Sequence, residues 1–340
     1  MSYQAGLFDV QNRVEKVRQF NSPILRLCEY IDFDFFRKEL KSYFEKGKDY
    51  SKGGRPPYDY VLMFKIMILQ HFYNISDDQT EFCINDRFSF MEFLNLQLGE
   101  RIPDAKTIWH FKNELAKGDM ALKLFDTLHQ QLQDDDIVVN KGTMVDASFV
   151  HVPRQRNTRE ENAQIKEGGI PEDWSEHKKR QKDMDATWTK KNDETHYGYK
   201  DHVKADVKTK LITNYEVTTA SLHDSQMLDE LLDEKDKIVF ADSAYRSEDQ
   251  EQRLAEAGIE SNILEKGVRN KPLTQKQIER NKKKSKIRVR VEHIFGFMTN
   301  SMHGMAIRCI GMLRAKCTIG LKNLTYNLFR LMQLDITLSS

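Results

Sequence analysis

The feature that most constrains the fold is a change in apolar pattern near residue 135. From residue 22 to about 135 the apolar side chains follow a helical spacing, broken around 52–57 and 99–103. Beyond residue 135 come short runs rich in β-branched residues, such as Thr143 to Val150. A chain of 340 residues is long enough to build two cores. We therefore predict an all-helical N-terminal domain over 1–135 and an α/β domain over 136–340.

The α/β part is predicted to be a mixed sheet flanked by helices. Strands are expected at about 137–139, 143–150, 199–207, 211–219, 238–241 and 260–264, with helices at 224–234 and 247–257. The leucines of 319–334 follow a helical period and are predicted to pack on the sheet. A polar insertion at about 153–194 interrupts the strands, and it either orders on a partner or stays solvated.

Two aspartates stand within or directly after predicted strands. Asp146 lies in the run 143–150, and Asp242 follows the apolar run 238–241. A single aspartate at a strand end is more often a turn or cap residue. Two carboxylates buried at one sheet edge, however, require a compensating positive charge. A later helix carrying Glu292 would complete a cage of three carboxylates, whose hard oxygen atoms suit Mg²⁺ or Mn²⁺.

Such a cage indicates phosphoryl-transfer chemistry. Two ions about 4 Å apart would activate the attacking oxygen and stabilise the leaving oxygen in an in-line displacement at phosphorus. A zinc enzyme is disfavoured, because no cluster of His and Cys at ligand spacing occurs. We predict Asp146, Asp242 and Glu292 as catalytic, metal-binding residues of a nuclease or strand-transfer enzyme that holds two ions and uses no nucleotide cofactor.

The distribution of charge points to DNA, although the overall charge does not. The 53 basic and 52 acidic side chains leave a net charge of +1. The stretch 266–290 holds 11 Lys or Arg against one acid and runs directly into Glu292. A charged run is usually a solvated surface, but its sign and position here favour phosphate contact. DNA contacts are predicted for Arg288, Lys200, His223, Arg55, Lys106, Trp109, Lys282, Lys283, Lys284 and Arg290.

Several side chains also have a purely structural interpretation. Arg288 stands one turn before Glu292 and would either pair with that carboxylate or hold a phosphate. Asp224 is better explained as a helix cap. Trp174 and Trp188 would either stack on an unpaired base or anchor the insertion to the core.

No membrane partner is expected. The first nine residues lack the basic, apolar and small-residue succession of a signal peptide. The most apolar stretch, 61–73, contains polar residues and is too short to span a bilayer, so it is predicted to be a buried core helix. We expect a cytoplasmic protein that is nucleoid-associated when bound to DNA.

Nine short motifs follow one another along nearly the whole chain. Four lie in the first domain: GRPPYD at 54–59, LMFK at 62–65, DRFSF at 86–90 and PDAKTIW at 103–109. Five lie in the second: VDAS at 145–148, HYGYK at 196–200, ASLHDS at 220–225, ADSAY at 241–245 and RVRVEHIFG at 288–296. In this order they resemble the DDE transposases of bacterial insertion sequences, specifically the insertion-sequence-five group.

The resemblance implies an RNase-H-like catalytic domain in which Asp146, Asp242 and Glu292 bind the metal ions. Related families place the catalytic Glu in a signature of Tyr, Arg, Glu and Lys. This chain keeps the Arg, whereas Ser285 and Thr299 stand at the places of the Tyr and the Lys. The contacts attributed to those two residues are therefore not expected here.

The resemblance also implies a reaction and its partners. The helical region would recognise terminal inverted repeats, and the helix from Asp104 to about Ala116 would enter the major groove, as in a helix-turn-helix. Hydrolysis at the element ends would be followed by attack of the freed 3' hydroxyl on target DNA. Pairing of two ends before cutting implies a homodimer on DNA.

Two other classes of protein remain open at this point. A non-catalytic DNA-binding protein derived from such an element would use the sheet only as a scaffold, which the three intact carboxylates argue against. A structure-selective RNase-H-like nuclease would cut DNA without joining it. Strand-transfer products would separate a transposase from such a nuclease.

Overall fold

The computed structural model describes most of the chain and divides it into two compact units. Residues 6, 8–20, 22–48, 53, 56–138, 142–152, 157–171, 173–191, 193–267 and 272–339 are described, Arg159 and Lys166 without their side chains. One unit comprises 1–126 with 321–340, and the other comprises 127–320. The predicted combination of a helical N-terminal region and a mixed sheet with helices is confirmed.

The first unit is built from helices. They are α1 (Asp9–Gln19), α2 (Pro23–Tyr30), α3 (Arg37–Phe44), α4 (Tyr60–Tyr73), α5 (Asp77–Asp86), α6 (Phe88–Leu94), α7 (Ala105–Lys117) and, crossing the boundary, α8 (Met120–Asp134). The Ser76 hydroxyl accepts from the amide of Gln79 at 3.1 Å and begins α5. Asp104 accepts from the amide of Thr107 at 2.7 Å and begins α7. Each cap satisfies an amide that has no partner inside its helix, and the predicted helix start at Asp104 is confirmed.

Helix α4 forms the centre of the first unit. Its side chains are buried on nearly every side, so the apolar stretch 61–73 is the predicted core helix. Within the described residues, no helix is both long and apolar enough to cross a bilayer.

The ring of Phe72 stacks on that of Phe329 with centroids 4.1 Å apart. The prediction that 319–334 packs on the sheet is therefore wrong for 321–334, which belongs to the helical unit.

The second unit contains one mixed sheet. Its strands are β1 (Thr143–His151), β2 (Thr187–Lys191), β3 (Glu194–Asp206), β4 (Ile212–Thr219), β5 (Ile238–Phe240) and β6 (Glu260–Ser261). The order is β2-β3-β1-β5-β6, and β4 pairs with the part of β3 that lies beyond β2. The pairs of β3 with β1, β2 and β4 are antiparallel, whereas β1–β5 and β5–β6 are parallel. This is the arrangement expected of an RNase-H-like domain.

The remaining helices follow along the chain, and the last of them crosses from the second unit into the first. They are α9 (Arg159–Lys166), α10 (Glu176–Gln181), α11 (Leu228–Leu231), α12 (Glu248–Glu256), α13 (Gln275–Asn300) and α14 (Met312–Gln333). The predicted helix at 247–257 is confirmed as α12, but the one at 224–234 is a 3-10 turn followed by the short α11. The strand predicted at 137–139 is absent from its described part, because the amides of Ile137 and Val138 bond to the carbonyl of Leu132 and close α8.

The polar stretch 153–194 carries secondary structure of its own. It contributes α9, α10 and β2, and β2 extends the sheet by pairing with β3. Trp174 is buried, and its indole donates to Glu161 at 2.8 Å. The ring of Trp188 lies 4.7 Å from that of Tyr197. These contacts favour the anchoring interpretation of both tryptophans.

Candidate active site

Asp146, inside β1, lies beside Asp242, which directly follows the short parallel neighbour β5. β1 pairs with β5 in the register Thr143↔Val239 and Met144↔Phe240. Continued by two residues, that register sets Asp146 opposite Asp242. Val145 belongs to the buried cluster on one face of the sheet. Because side chains alternate along a strand, Asp146 points to the opposite face.

Each aspartate also makes a local backbone contact. Asp146 accepts from the amide of Ala147 at 2.9 Å. Asp242 accepts from the amide of Ser243 at 2.6 Å and caps the 3-10 turn Ser243–Tyr245. The cap interpretation of a strand-end aspartate therefore holds for Asp242. It does not compete with a role in a carboxylate cluster, because an ionised carboxylate accepts several hydrogen bonds.

The third carboxylate is carried by α13. This helix packs along β1 and buries Val291, Ile294 and Met298. Glu292 directly follows Val291, and its side chain is 54% exposed. The packing of α13 thus brings an exposed glutamate to the sheet edge where the two aspartates lie.

Arg288 links the strand carboxylate to the helix carboxylate. One turn before Glu292, its Nη2 donates to Glu292 Oε1, and its Nη1 donates to Asp146 Oδ2 at 3.3 Å. The Arg288 side chain is only 17% exposed, and its Nε has no hydrogen-bond partner among the described residues. Of its two predicted contacts, the one with the carboxylate is present. A guanidinium therefore lies between two members of the predicted triad.

The electrostatics of the cluster are dominated by burial. The pKa of Asp146 is raised to about 6, chiefly by burial and to a smaller extent by the nearby carboxylate of Asp242. The amide of Ala147, the guanidinium of Arg288 and the ammonium of Lys191 oppose this rise. Asp146 is therefore a carboxylate whose charge is only partly compensated by the protein.

The chemistry of this donor set fits a divalent cation. Arg288 bridges the carboxylates of Asp146 and Glu292, and Asp242 lies beside Asp146. The hard oxygen atoms of these three carboxylates are the ligands that Mg²⁺ and Mn²⁺ prefer. In the described part of the chain, however, no three His, Cys, Asp or Glu side chains are gathered closely enough to hold an ion. Arg288 lies between the carboxylates of Asp146 and Glu292 and keeps them apart, which is a physical reason for the absence of such a group.

Two protein families match this chain. Residues 139–328, more than half of the chain, match a family described as a transposase DDE domain. Residues 12–114 match a family described as a transposase domain (DUF772). The chain belongs to the DDE transposases. Members of this family cleave and transfer DNA strands with the help of divalent metals. No solved structure matches the chain.

The transposase exposes basic side chains along α13. Lys282, Lys283 and Arg290 are exposed, and Arg290 also donates to the carbonyl of Val207 at 3.1 Å. Lys284 differs, because it is partly buried and donates to the carbonyl of Ile263 at 3.1 Å. Burial lowers the pKa of Lys284. DNA contact by these four residues stays a prediction, and Lys284 is the one least accessible to a phosphate.

Lys200 and His223 of the transposase have other partners. The ammonium of Lys200 is buried and donates to Asp224 at 2.7 Å and to the carbonyl of Leu222 at 2.6 Å. His223 is exposed, and its ring accepts from the amide of Ser225, so His223 and not Asp224 caps the 3-10 turn. Lys200 is therefore engaged in an internal ion pair, while His223 stays accessible for the predicted contact.

The predicted recognition residues of the helical unit lie on α7, apart from one. Lys106 is exposed, and Trp109 is 45% exposed although it is a large apolar side chain. The opposite side of α7 buries Ile108, Phe111 and Leu115. Lys106 and Trp109 are therefore accessible, and DNA contact by them stays a prediction. Arg55 lies outside the described residues.

Sequence reasoning missed two residues beside the carboxylates. Tyr245 is buried, and its hydroxyl has no hydrogen-bond partner in the part of the chain that the structure describes. Burial, followed by Asp224, Asp146 and Asp242, raises the pKa of Tyr245 well above its ordinary value. Lys191 reaches within 3.9 Å of Asp224 from the end of β2. Tyr245 stands in the ADSAY motif, which was a usable signal, whereas the position of Lys191 depends on a strand that the sequence did not predict.

Proposed function

We propose that this transposase belongs to the insertion-sequence-five group, cuts DNA at the ends of its element and joins those ends to target DNA. The observation that carries the proposal is the adjacency of Asp146 on β1 and Asp242 just after the parallel β5, with Glu292 linked to Asp146 through Arg288. The nine motifs in family order support the group assignment.

We propose Asp146, Asp242 and Glu292 as the residues that hold two Mg²⁺ or Mn²⁺ ions. When bound, such ions supply charge neutralisation at phosphorus and activation of the attacking oxygen. The protein would contribute oxygen ligands from β1, from the end of β5 and from α13. It also contributes a partly dry environment, in which electrostatic interactions are stronger than in water.

The reaction consists of two displacements at phosphorus. In the first, a water oxygen forms a bond to phosphorus, the bond to the 3' oxygen of the element end breaks, and a free 3' hydroxyl results. In the second, that hydroxyl oxygen bonds to a target phosphorus while the target's own 3' oxygen leaves. Each step forms one P–O bond and breaks one, so neither requires a nucleotide cofactor or a covalent protein intermediate.

DNA binding is assigned to two surfaces, one in each unit. The exposed basic side of α13, with Lys282, Lys283 and Arg290, would contact phosphates near the site of chemistry. The exposed face of α7, with Lys106 and Trp109, would read the terminal inverted repeats. Work on two ends at once would take a homodimer on DNA, and the nucleoid in the cytoplasm would be the place of action.

The function is tested by incubating the protein and Mg²⁺ with labelled DNA that carries the element's own ends and an unlabelled target plasmid. We expect nicks at the ends and labelled plasmid, which is the product of joining. Cutting without joined product would indicate a nuclease. Tight binding without cutting would indicate a non-catalytic DNA-binding protein.

The DNA surface on α13 is tested separately by the salt dependence of binding. Lys282→Gln should weaken binding to all sequences and reduce the slope of log Kd against log salt by about 1, since one phosphate contact is lost. Lys237→Gln is the matched control, because Lys237 is exposed at the opposite end of β5 from Asp242. Equal slopes for the two variants would remove α13 from the DNA interface.

A further inference from the structure

Arg288 contacts both ends of the predicted metal site at once. Its two terminal nitrogens go to different carboxylates, Asp146 on β1 and Glu292 on α13. A planar guanidinium serves two acceptors in this way because its donors form a rigid fork. The oxygen atoms that accept from Arg288 are among those that a divalent ion would need.

We propose that Arg288 is the internal counter-ion of this site, and that a divalent cation binds by displacing its guanidinium from Asp146 and Glu292. The inference rests on the proposed metal site and adds a competitor to it. In the absence of a divalent ion, Arg288 compensates two carboxylates that would otherwise repel each other across the edge of the sheet.

The surroundings of Arg288 allow such a displacement. The Nε atom has no hydrogen-bond partner among the described residues, so the side chain is held through its two terminal nitrogens only. Glu292 is half exposed, so this side of the contact is open to solvent. A displaced guanidinium has lost both carboxylate partners and becomes available to a DNA phosphate. The two interpretations of Arg288, carboxylate partner and phosphate contact, then describe two states of one side chain.

Long-range repulsion is a simpler explanation for tighter metal binding by a variant of Arg288, since any cation near the site disfavours a metal ion. Lys191 provides the comparison. Its ammonium lowers the pKa of Asp146 through space. It is 50% exposed, and its ion pair is with Asp224 at 3.9 Å. Removing Lys191 therefore removes a nearby positive charge and leaves the contacts of Arg288 in place.

The experiment measures Mn²⁺ binding to the full-length protein without DNA, by electron paramagnetic resonance of the free ion. The decisive variant is Arg288→Lys, which keeps the charge but lacks the fork that bridges two carboxylates. We expect Arg288→Lys to bind Mn²⁺ about tenfold more tightly than wild type, the equivalent of one lost charge-assisted hydrogen bond. Lys191→Gln should change the affinity by less than Arg288→Gln. Circular dichroism checks that each variant is folded.

A second readout follows Arg288 directly. In ¹⁵N-labelled protein, the guanidinium signal that is missing from Arg288→Lys should shift when Mg²⁺ is added to wild type. Equal Mn²⁺ affinity of wild type and Arg288→Lys, together with an unmoved signal, would overturn the counter-ion proposal and leave the metal site standing. Failure of wild type and every variant to bind Mn²⁺ would overturn the metal site itself, and the counter-ion proposal with it.

Discussion

Replacing Asp146 with Asn is expected to stabilise the metal-free transposase at neutral pH. Burial raises the pKa of Asp146 to about 6 from an ordinary value of 3.8. The folded protein therefore carries an ionised carboxylate at pH 7 in surroundings that favour the neutral form. A difference of about two pH units, at 1.36 kcal/mol per unit, corresponds to about 3 kcal/mol. Because Asn resembles the protonated carboxyl in size and charge, Asp146→Asn should gain about that amount.

The pH dependence identifies the cause of the gain. Below about pH 3 the carboxyl is protonated in the folded and the unfolded protein, so wild type and variant should be equally stable. Between pH 4 and 6 the unfolded chain releases its proton first, and the wild type loses stability relative to the variant. Above pH 6 the difference is fully developed.

Urea unfolding in EDTA at pH 4, 5 and 7, followed by circular dichroism, measures these free energies of unfolding. Asp135→Asn removes an exposed carboxylate and is the control for the loss of a charge. A variant less stable than wild type at pH 7 would refute the reasoning. So would a gain that is the same at every pH.

Three further predictions concern stability. Tyr245→Phe removes a buried hydroxyl without a hydrogen-bond partner among the described residues and should raise the free energy of unfolding by about 1 kcal/mol; a loss in urea titration would show that the hydroxyl is bonded. Gly198→Ala should lower the free energy of unfolding by at least about 2 kcal/mol, because φ is +145° and a Cβ would lie 2.1 Å from the carbonyl oxygen of Val150. Gly296→Ala, on open helix surface, should raise it by about 0.5–1 kcal/mol. Thermal melts in which both variants shift the melting temperature in the same direction would contradict this pair. Burial lowers the pKa of His71 to about 3, whereas the same side chain in the unfolded protein takes up a proton below about pH 6.5. The free energy of unfolding of the helical unit should therefore fall by about 1.4 kcal/mol per pH unit as the pH drops below about 6.5. Acid titrations should show this slope for wild type but not for His71→Gln.

The adjacency of Asp146 and Asp242 could be predicted from the sequence. Asp146 and Asp242 both follow apolar β-branched runs, and parallel strands bring their ends to the same edge of a sheet. The spacing also placed Arg288 one turn before Glu292. It could not decide between carboxylate and phosphate as the partner of Arg288, because that choice depends on how closely α13 packs against β1. That distance is set by Val291, Ile294 and Met298 in three dimensions and leaves no trace in local spacing.

Other elements gave weaker signals. The strand β2 lies in a charged stretch and is held by its hydrogen bonds to β3. The sequence therefore shows no alternation of apolar residues from which this strand could be predicted. The leucines after residue 319 do form a helix, but the period of a helix does not say which core it joins. The contact of Phe329 with Phe72 decides that question, and it joins residues that are far apart in the chain.

The claim that Asp146, Asp242 and Glu292 form one catalytic metal site is tested most directly by comparing their neutral variants in one assay. Asp146→Asn, Asp242→Asn and Glu292→Gln would be incubated with Mg²⁺ and labelled element ends beside wild type. Glu279→Gln, an exposed glutamate of the same helix as Glu292, is the matched control. The account predicts that all three variants bind the ends but neither cut nor join them, whereas wild type and Glu279→Gln do both. Cutting by any of the three at the wild-type rate would contradict the assignment of that carboxylate.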